Sequence, residues 1–189
     1  MATTPAPGEL APDFTLPGTV PGADDRDYTL SAERGHPVVL AFYPGDETPV
    51  CTRQLCSYQN DFETLAGLGL DAQLWGISSQ GIESHRLFQA NRSLGFPLLA
   101  DIDSAVFKAY GLGSVLNRRA VFVIDADGRI AWRHVSTTGL TYQKLGTIAD
   151  ALRALPAPAY PTDTTTEAPI AAPAEAPAAK RARPRKPTT

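Results

Sequence analysis

This 189-residue sequence has few cysteine residues and no long apolar runs. Two cysteines are too few for a disulfide-stabilised scaffold. No stretch approaches the roughly 18 uninterrupted apolar residues that a membrane span requires, and residues 1–7 have neither the basic segment nor the apolar run of a secretory signal. We therefore expect a cytoplasmic protein that does not associate with membranes. In a reducing compartment, two close cysteines are more often reactive than structural.

Patterns that bind metals or cofactors are also scarce. His36, His85 and His134 are scattered along the chain without the spacing of a zinc site, and we interpret His85 as a helix-packing residue. Residues 125–128 (Asp-Ala-Asp-Gly) lack the later ligands of a calcium loop, because Ser136 stands where the closing Glu would be. They are better explained as a hairpin turn. We predict neither a metal nor a cofactor.

Composition divides the chain into one domain and a tail. A hydrophobic fraction of 43% and a net charge of -3 fit one soluble domain, which we place at residues 9–155 after a disordered segment at residues 1–8. Residues 156–189 are mostly Ala, Pro and Thr, which cannot bury enough surface to order the chain, and they end in a basic cluster at 180–186. That cluster would suit nucleic acid, but it has no interleaved aromatic residue. We expect a solvated or self-associating tail that binds no nucleic acid.

Strand-like and helix-like stretches alternate through the predicted domain. Apolar runs at 37–43, 71–78 and 120–125 predict buried strands, whereas 52–65 and 82–94 place apolar residues at helical spacing. Residues 129–135 should pair antiparallel with the strand before them, and 142–155 should form a closing helix. A strand pair around 13–16 and 28–30 would cap one sheet edge. The order predicts an α/β fold with a central mixed sheet flanked by helices, and its second half resembles a thioredoxin fold.

The most informative stretch is residues 42–56. Pro44, Thr48 and Cys51 reproduce the spacing of the active-site loop of peroxiredoxins, which this stretch closely resembles. A second cysteine five residues later, here Cys56, is typical of the peroxiredoxin Q or bacterioferritin comigratory protein branch. The resemblance reaches about residue 155 and includes these stretches: 12–14, 75–78, 83–85, 96–101 and 119–125.

The chemistry of a reactive thiol points to the same residues. A free cysteine, with a pKa of about 8.5, is only a few per cent ionised at neutral pH, so Cys51 needs groups that stabilise its thiolate. The predicted helix start offers unpaired backbone N–H groups and a positive dipole end, and Arg119 would add a full charge. Peroxide specificity then requires donors to the polarised O–O bond. We assign Thr48, the Cys51 N–H and Arg119 to that task, and Pro44 to excluding water.

Each assignment has a plainer alternative. The two cysteines could be a buried structural residue and a chance neighbour, and Arg118 could take the place of Arg119, since adjacent strand residues face opposite sides of a sheet. Alignment with the Arg-x-x-Phe pattern of the family selects Arg119. Two positions depart from the branch: Val50 stands in place of Gly, and Gln54 in place of Glu. Thr52 matches the family but could equally be a helix-surface residue.

The resemblance implies a peroxidase in which Cys51 attacks hydrogen peroxide or an organic hydroperoxide and Cys56 resolves the oxidised sulfur as an intramolecular disulfide. Thioredoxin or a similar dithiol would then restore both thiols, and we expect a monomer or weak homodimer. The alternatives are a non-enzymatic redox sensor or chaperone, and a thiol-disulfide oxidoreductase of thioredoxin fold. The latter chemistry uses a C-x-x-C pair, which is absent from this sequence.

Overall fold

The computed structural model describes residues 3–67, 72–113, 117–137 and 141–155. The predicted tail at 156–189 lies outside these residues, as do residues 1–2 of the predicted disordered N-terminus. Thr4, Pro5 and Gly8, which belong to the same predicted segment, are hydrogen-bonded to the rest of the chain. The Gly8 N–H donates to the Ile130 carbonyl at 2.8 Å, and Arg133 donates to the carbonyls of Thr4 and Pro5.

Seven strands of the described residues form one mixed sheet. The sequence predicts the mixed sheet, but only six of these strands. The seven strands are β1 (Thr15–Thr19), β2 (Arg26–Thr29), β3 (Val38–Phe42), β4 (Gln73–Ser78), β5 (Leu98–Ala100), β6 (Ala120–Ile124) and β7 (Ile130–Val135). Their order across the sheet is β2-β1-β5-β4-β3-β6-β7. β3 runs parallel to β4 and antiparallel to β6, and the hairpin of β1 and β2 closes one edge. β3 therefore lies inside the sheet with a neighbour on each side.

Within the described ranges, four α-helices and one 3-10 helix accompany the sheet. They are α1 (Pro49–Gly67), α2 (Ile82–Arg92), α3 (Ala105–Ala109), α4 (Leu145–Arg153) and the 3-10 helix Leu30–Glu33. α1 begins earlier than the sequence predicts because Pro49 suits the first helical position. α4 begins three residues later than predicted, at Leu145. No helix in the described ranges combines the length and the apolar character needed to cross a membrane.

Alternate residues of β3 pack on opposite faces of the sheet. Val38, Leu40 and Phe42 belong to one apolar cluster, which also holds side chains of β1 and α3. Val39 and Ala41 belong to the other, which contains side chains of α1, α2 and α4. All five residues of β3 are buried, which explains why its sequence is continuously apolar. Cys51 is a member of the second cluster, so its thiol lies on the α1 face of the sheet.

Candidate active site

The loop after β3 leads directly into α1 and brings Cys51 to the start of that helix. The Thr52 N–H donates to the Thr48 carbonyl at 2.9 Å, so Thr48 stands at the N-cap position and Cys51 is the third helical residue. The N–H of a third helical residue has no partner within its own helix, and the helix dipole is positive at this end. The Cys51 side chain is fully buried. The Cys51 sulfur thus lies away from water beside the positive end of a helix.

Arg119 supplies a full positive charge at the same place. Its Nη2 atom donates to Cys51 Sγ at 3.2 Å, and the side chain is only 2% exposed. The residue precedes β6, whose first residue, Ala120, pairs with Phe42 at the end of β3. Arg118 is exposed. Arg119 rather than Arg118 therefore contacts the thiol in the structure.

A chain of hydrogen bonds continues from Arg119 away from the thiol. The Nη1 atom of Arg119 donates to Oε1 of Gln54, and Nε2 of Gln54 donates to the Tyr58 hydroxyl at 3.1 Å. The Tyr58 hydroxyl donates in turn to the carbonyl of Gln143 at 2.8 Å. Gln54 and Tyr58 are both fully buried. The chain joins the thiol to the segment that precedes α4. The sequence analysis singled out Arg119 and Gln54, but neither Tyr58 nor Gln143.

Pro44 and Thr48 lie on the loop between β3 and α1, as predicted. Both residues are exposed, and the Thr48 hydroxyl donates to the Gly45 carbonyl at 3.3 Å. That hydroxyl is therefore engaged with the loop itself in this state. Donation from Thr48 to a peroxide, and water exclusion by Pro44, stay predictions.

Cys56 lies on the same continuous helix as Cys51, and both cysteines are free. Cys56 is half-buried, and this burial raises the pKa of its thiol. The charge of Arg92 acts in the opposite direction, and that of Glu47 reinforces the rise. These two charges differ from the one that faces Cys51, so the two thiols occupy distinct surroundings. Cys56 is mainly a neutral thiol at pH 7.

One hydroxyl in the first turns of α1 is left without a partner. The Oγ1 atom of Thr52 is buried and makes no hydrogen bond in the described part of the chain. A buried polar group without a partner costs about 1–3 kcal/mol relative to its hydrated state. The helix that carries both cysteines is therefore less stable at its start than its length suggests.

Two acidic residues fasten the loop before α1 to α2. The Asp46 carboxylate accepts from the Tyr43 hydroxyl at 2.8 Å, from the Ser84 hydroxyl at 2.6 Å and from His85 Nδ1 at 2.9 Å. Glu47, whose φ is +55°, pairs with Arg92 at 2.6 Å. The sequence indicated only that His85 packs on a helix, and these long-range pairs left no local pattern by which to find them.

The His85 ring lies between two oxygen acceptors. Its Nε2 atom is 3.2 Å from the Leu99 carbonyl oxygen, and its Nδ1 atom is 2.9 Å from the Asp46 carboxylate. Burial on its own would raise the pKa of Asp46, but the hydrogen bonds and charge of His85, with Ser84 and Tyr43, hold it below its usual range. No group of three or more His, Cys, Asp or Glu side chains within the described ranges could hold a metal ion.

Comparison with known proteins places this geometry in a family context. Residues 7–133 match the AhpC/TSA family. A chloroplastic peroxiredoxin Q of rice, Oryza sativa subsp. japonica, is 37% identical over 129 residues, which are 66% of this chain and 57% of the rice protein. A Mycobacterium tuberculosis protein named as a peroxiredoxin is 36% identical over 144 residues, which are 70% of this chain and 88% of that protein. The chain thus spans little more than half the length of the plant relatives.

Solved structures give the same result for the fold. Peroxiredoxin Q of Xanthomonas campestris superposes with a TM-score of 0.61 at 27% identity, covering 74% of this chain and 90% of that one. The reduced 2-Cys peroxiredoxin of Plasmodium vivax superposes with a TM-score of 0.72 over 78% of this chain and 94% of its own. At 21% identity, the second likeness concerns the fold alone.

Proposed function

The chain belongs to the AhpC/TSA family, and on that premise we propose that it is a thiol peroxidase that reduces hydrogen peroxide and organic hydroperoxides at Cys51. The observation that carries this proposal is the contact of 3.2 Å between Arg119 Nη2 and Cys51 Sγ at the buried start of α1. A guanidinium and a helix N-terminus both favour the thiolate, which is the nucleophilic form of the residue.

The first step is a two-electron oxidation of sulfur. The Cys51 thiolate attacks one oxygen of the hydroperoxide, the S–O bond forms and the O–O bond breaks. Cys51 becomes a sulfenic acid, and the leaving oxygen takes up a proton to form water or an alcohol. Negative charge spreads onto the peroxide oxygens during this displacement, and Arg119 is already placed to donate to them. The exposed loop of Pro44 and Thr48 would complete the pocket when the substrate enters.

The second step uses Cys56. Its sulfur attacks the sulfenic sulfur of Cys51, a disulfide forms and water leaves. Residues five apart on a regular helix have Cα atoms about 8.6 Å apart, beyond the roughly 7 Å that a disulfide allows. The start of α1 must therefore unwind, and the unpartnered Thr52 hydroxyl lowers the cost of that opening. Thioredoxin or a similar dithiol then reduces the disulfide and returns both thiols to the starting state.

A coupled assay with thioredoxin and thioredoxin reductase tests the proposal. We expect steady peroxide turnover by the wild type and none by Cys51→Ser, because a hydroxyl is scarcely ionised where a thiolate is needed. Cys56→Ser should complete one oxidation and then stop, and its Cys51 should advance to the sulfinic state under excess peroxide. A single oxidation without turnover in the wild type would favour a redox sensor or chaperone. Full turnover by Cys51→Ser would remove Cys51 from the mechanism.

A further inference from the structure

Gln54 occupies a central place in the buried chain of hydrogen bonds behind the thiol. Its side chain is fully buried between the guanidinium of Arg119 and the hydroxyl of Tyr58. We propose that Gln54 is a positioning residue that fixes Arg119 beside Cys51 without placing a negative charge next to either group. This inference rests on the proposed function for its importance in catalysis, but the property it assigns to the thiol can be measured without peroxide.

The direction of every hydrogen bond in this chain is fixed by chemistry. Arginine only donates, so Oε1 of Gln54 must be the atom that faces Arg119. Nε2 therefore faces Tyr58, where it needs an acceptor. The Tyr58 oxygen can accept because its own proton is given to the Gln143 carbonyl, which can only accept. An amide, with an acceptor and a donor on one rigid group, satisfies both neighbours at once.

A carboxylate at position 54 would satisfy only one of these neighbours. It would bind Arg119 more strongly, but its second oxygen would face the Tyr58 oxygen without a proton between them. Tyr58 could then donate to that oxygen only by releasing the Gln143 carbonyl. A carboxylate would also add a negative charge near the sulfur, and a like charge within about 4–6 Å disfavours ionisation. Gln54 thus holds Arg119 in place without adding a negative charge that would disfavour ionisation of Cys51.

Gln54 places no negative charge beside the thiol, and the nearby phenols of Tyr58 and Tyr43 do not place one there either. Burial raises the pKa of Tyr58 above its usual range, although Gln54 and Arg119 act against that rise. Burial, with the charge of Asp46, raises the pKa of Tyr43 far above its usual range. Both phenols are therefore neutral at physiological pH. Cys56 is held as a thiol by its own burial, and it interacts with Arg92 and Glu47.

The experiment measures the ionisation of Cys51 in full-length protein that carries Cys56→Ser, so that one thiol reports. Thiolate absorbance near 240 nm and the alkylation rate of Cys51 are measured against pH for the protein that retains Gln54 and for its Gln54→Glu variant. We expect the ionisation midpoint of Cys51 to rise by about one pH unit or more in Gln54→Glu, which lowers the thiolate fraction about tenfold below that midpoint. An unchanged or lower midpoint would overturn the proposal.

Gln59→Glu is the matched control, because it adds the same charge to the same helix. The Oε1 atom of Gln59 accepts from the Gly95 N–H at 2.6 Å, and a carboxylate can keep that bond. We expect the Cys51 midpoint to move by less than about 0.3 pH unit in this control. An equal shift in both variants would mean that the charge acts through the whole helix, and the assignment to Gln54 would be lost.

Gln54→Met tests whether Gln54 positions Arg119, and it does so without burying a charge. This variant also keeps the proposal testable if Gln54→Glu does not fold. It removes both hydrogen bonds, so Arg119 loses one of its anchors. We expect the rate of Cys51 oxidation by hydrogen peroxide, followed by mass spectrometry, to fall at least threefold, with a smaller change in midpoint than in Gln54→Glu. An unchanged rate would overturn the positioning role. A raised midpoint in Gln54→Glu together with absent peroxidase turnover in the wild type would reject the proposed function and leave this inference intact.

Discussion

Arg119 Nη2 lies 3.2 Å from Cys51 Sγ, although 68 positions separate the two residues in the sequence. Pairing of β6 with β3 creates this contact, because Ala120 stands opposite Phe42 at the strand end that leads to the loop of the site. Arg119 is only 2% exposed, so its charge is held inside the protein, where the charge of a mobile surface side chain could not substitute for it. The sheet register therefore determines which of the two adjacent arginines, Arg118 or Arg119, contacts the thiol.

Arg119→Ala should lower the rate constant for peroxide reduction by at least about tenfold, equivalent to roughly 1.4 kcal/mol, because it removes stabilisation of the thiolate and of the transition state. Arg118→Ala is the matched control and should change the rate little, since Arg118 is exposed. Stopped-flow measurement of Cys51 oxidation provides both values. A reversed order of the two effects would contradict the facing seen in the structure.

Hydrogen exchange should detect the opening of α1 in the disulfide form. The geometry of a regular helix keeps Cys51 and Cys56 too far apart to bond, so amides from Thr52 to about Asn60 should lose protection on oxidation. The central strand β3 should keep its protection. If mass spectrometry confirmed the disulfide while the helix stayed equally protected, the resolving step would need a different geometry.

Thr52→Val should stabilise the reduced protein by about 1 kcal/mol, because it removes a buried hydroxyl that has no hydrogen-bond partner within the described residues. If that gain is lost when α1 unwinds, disulfide formation should become about fivefold slower. Urea unfolding under reducing conditions and quenched-flow mass spectrometry give the two numbers. Thr147→Val, at an exposed position of α4, is the control and should alter neither. Faster disulfide formation in Thr52→Val would show that the hydroxyl does not promote opening.

Acid should weaken the link between the loop and α2. Burial opposes ionisation of Asp46, yet His85, Ser84 and Tyr43 together keep its pKa low in the folded protein. A carboxyl with a lowered folded pKa contributes stability above its unfolded pKa of about 3.9, and this contribution disappears as the pH falls below that value. Urea unfolding between pH 3 and pH 7 should show this loss in the wild type and a flatter profile in Asp46→Asn.

Asp150→Asn provides the control for that pH series. Asp150 pairs with Arg153 on the surface of α4, where its side chain is 78% exposed, and an exposed pair of this kind contributes little. Its profile should follow that of the wild type. A wild-type slope that Asp46→Asn leaves unaltered would place the acid sensitivity elsewhere in the protein.

The sequence predicted the parts of the site that have a local pattern. Cys51 and Cys56 were identified because residues 42–56 resemble the active-site loop of peroxiredoxins. The alternation of side chains along a strand allowed only one of Arg118 and Arg119 to face the site, and the Arg-x-x-Phe pattern of the family selected Arg119. The buried strand β3 followed from its continuous apolar run. Each of these signals lies within a window of about fifteen residues, where hydrophobic periodicity is informative.

Contacts between distant elements could not be predicted in the same way. Asp46 and His85 are 39 positions apart, and Tyr58 and Gln143 are 85 apart, so neither pair leaves a periodic signal. β5 and α3 were not predicted because they contain three and five residues, too few to display a period. Their positions depend on tertiary packing, which overrides weak local preferences.

The inside position of β3 has a consequence for repeated cycling. β3 is flanked by β4 and β6, so these strands need not move when α1 opens. We expect the end of β3 and the adjacent start of β6 to act as a fixed template, and Gln54 and Arg119 to pair again on it when the helix start refolds after each reduction. Correct refolding of the helix in each cycle would then depend on the sheet. A protein with a destabilised sheet would lose activity progressively over many turnovers and would not show a slow first turnover.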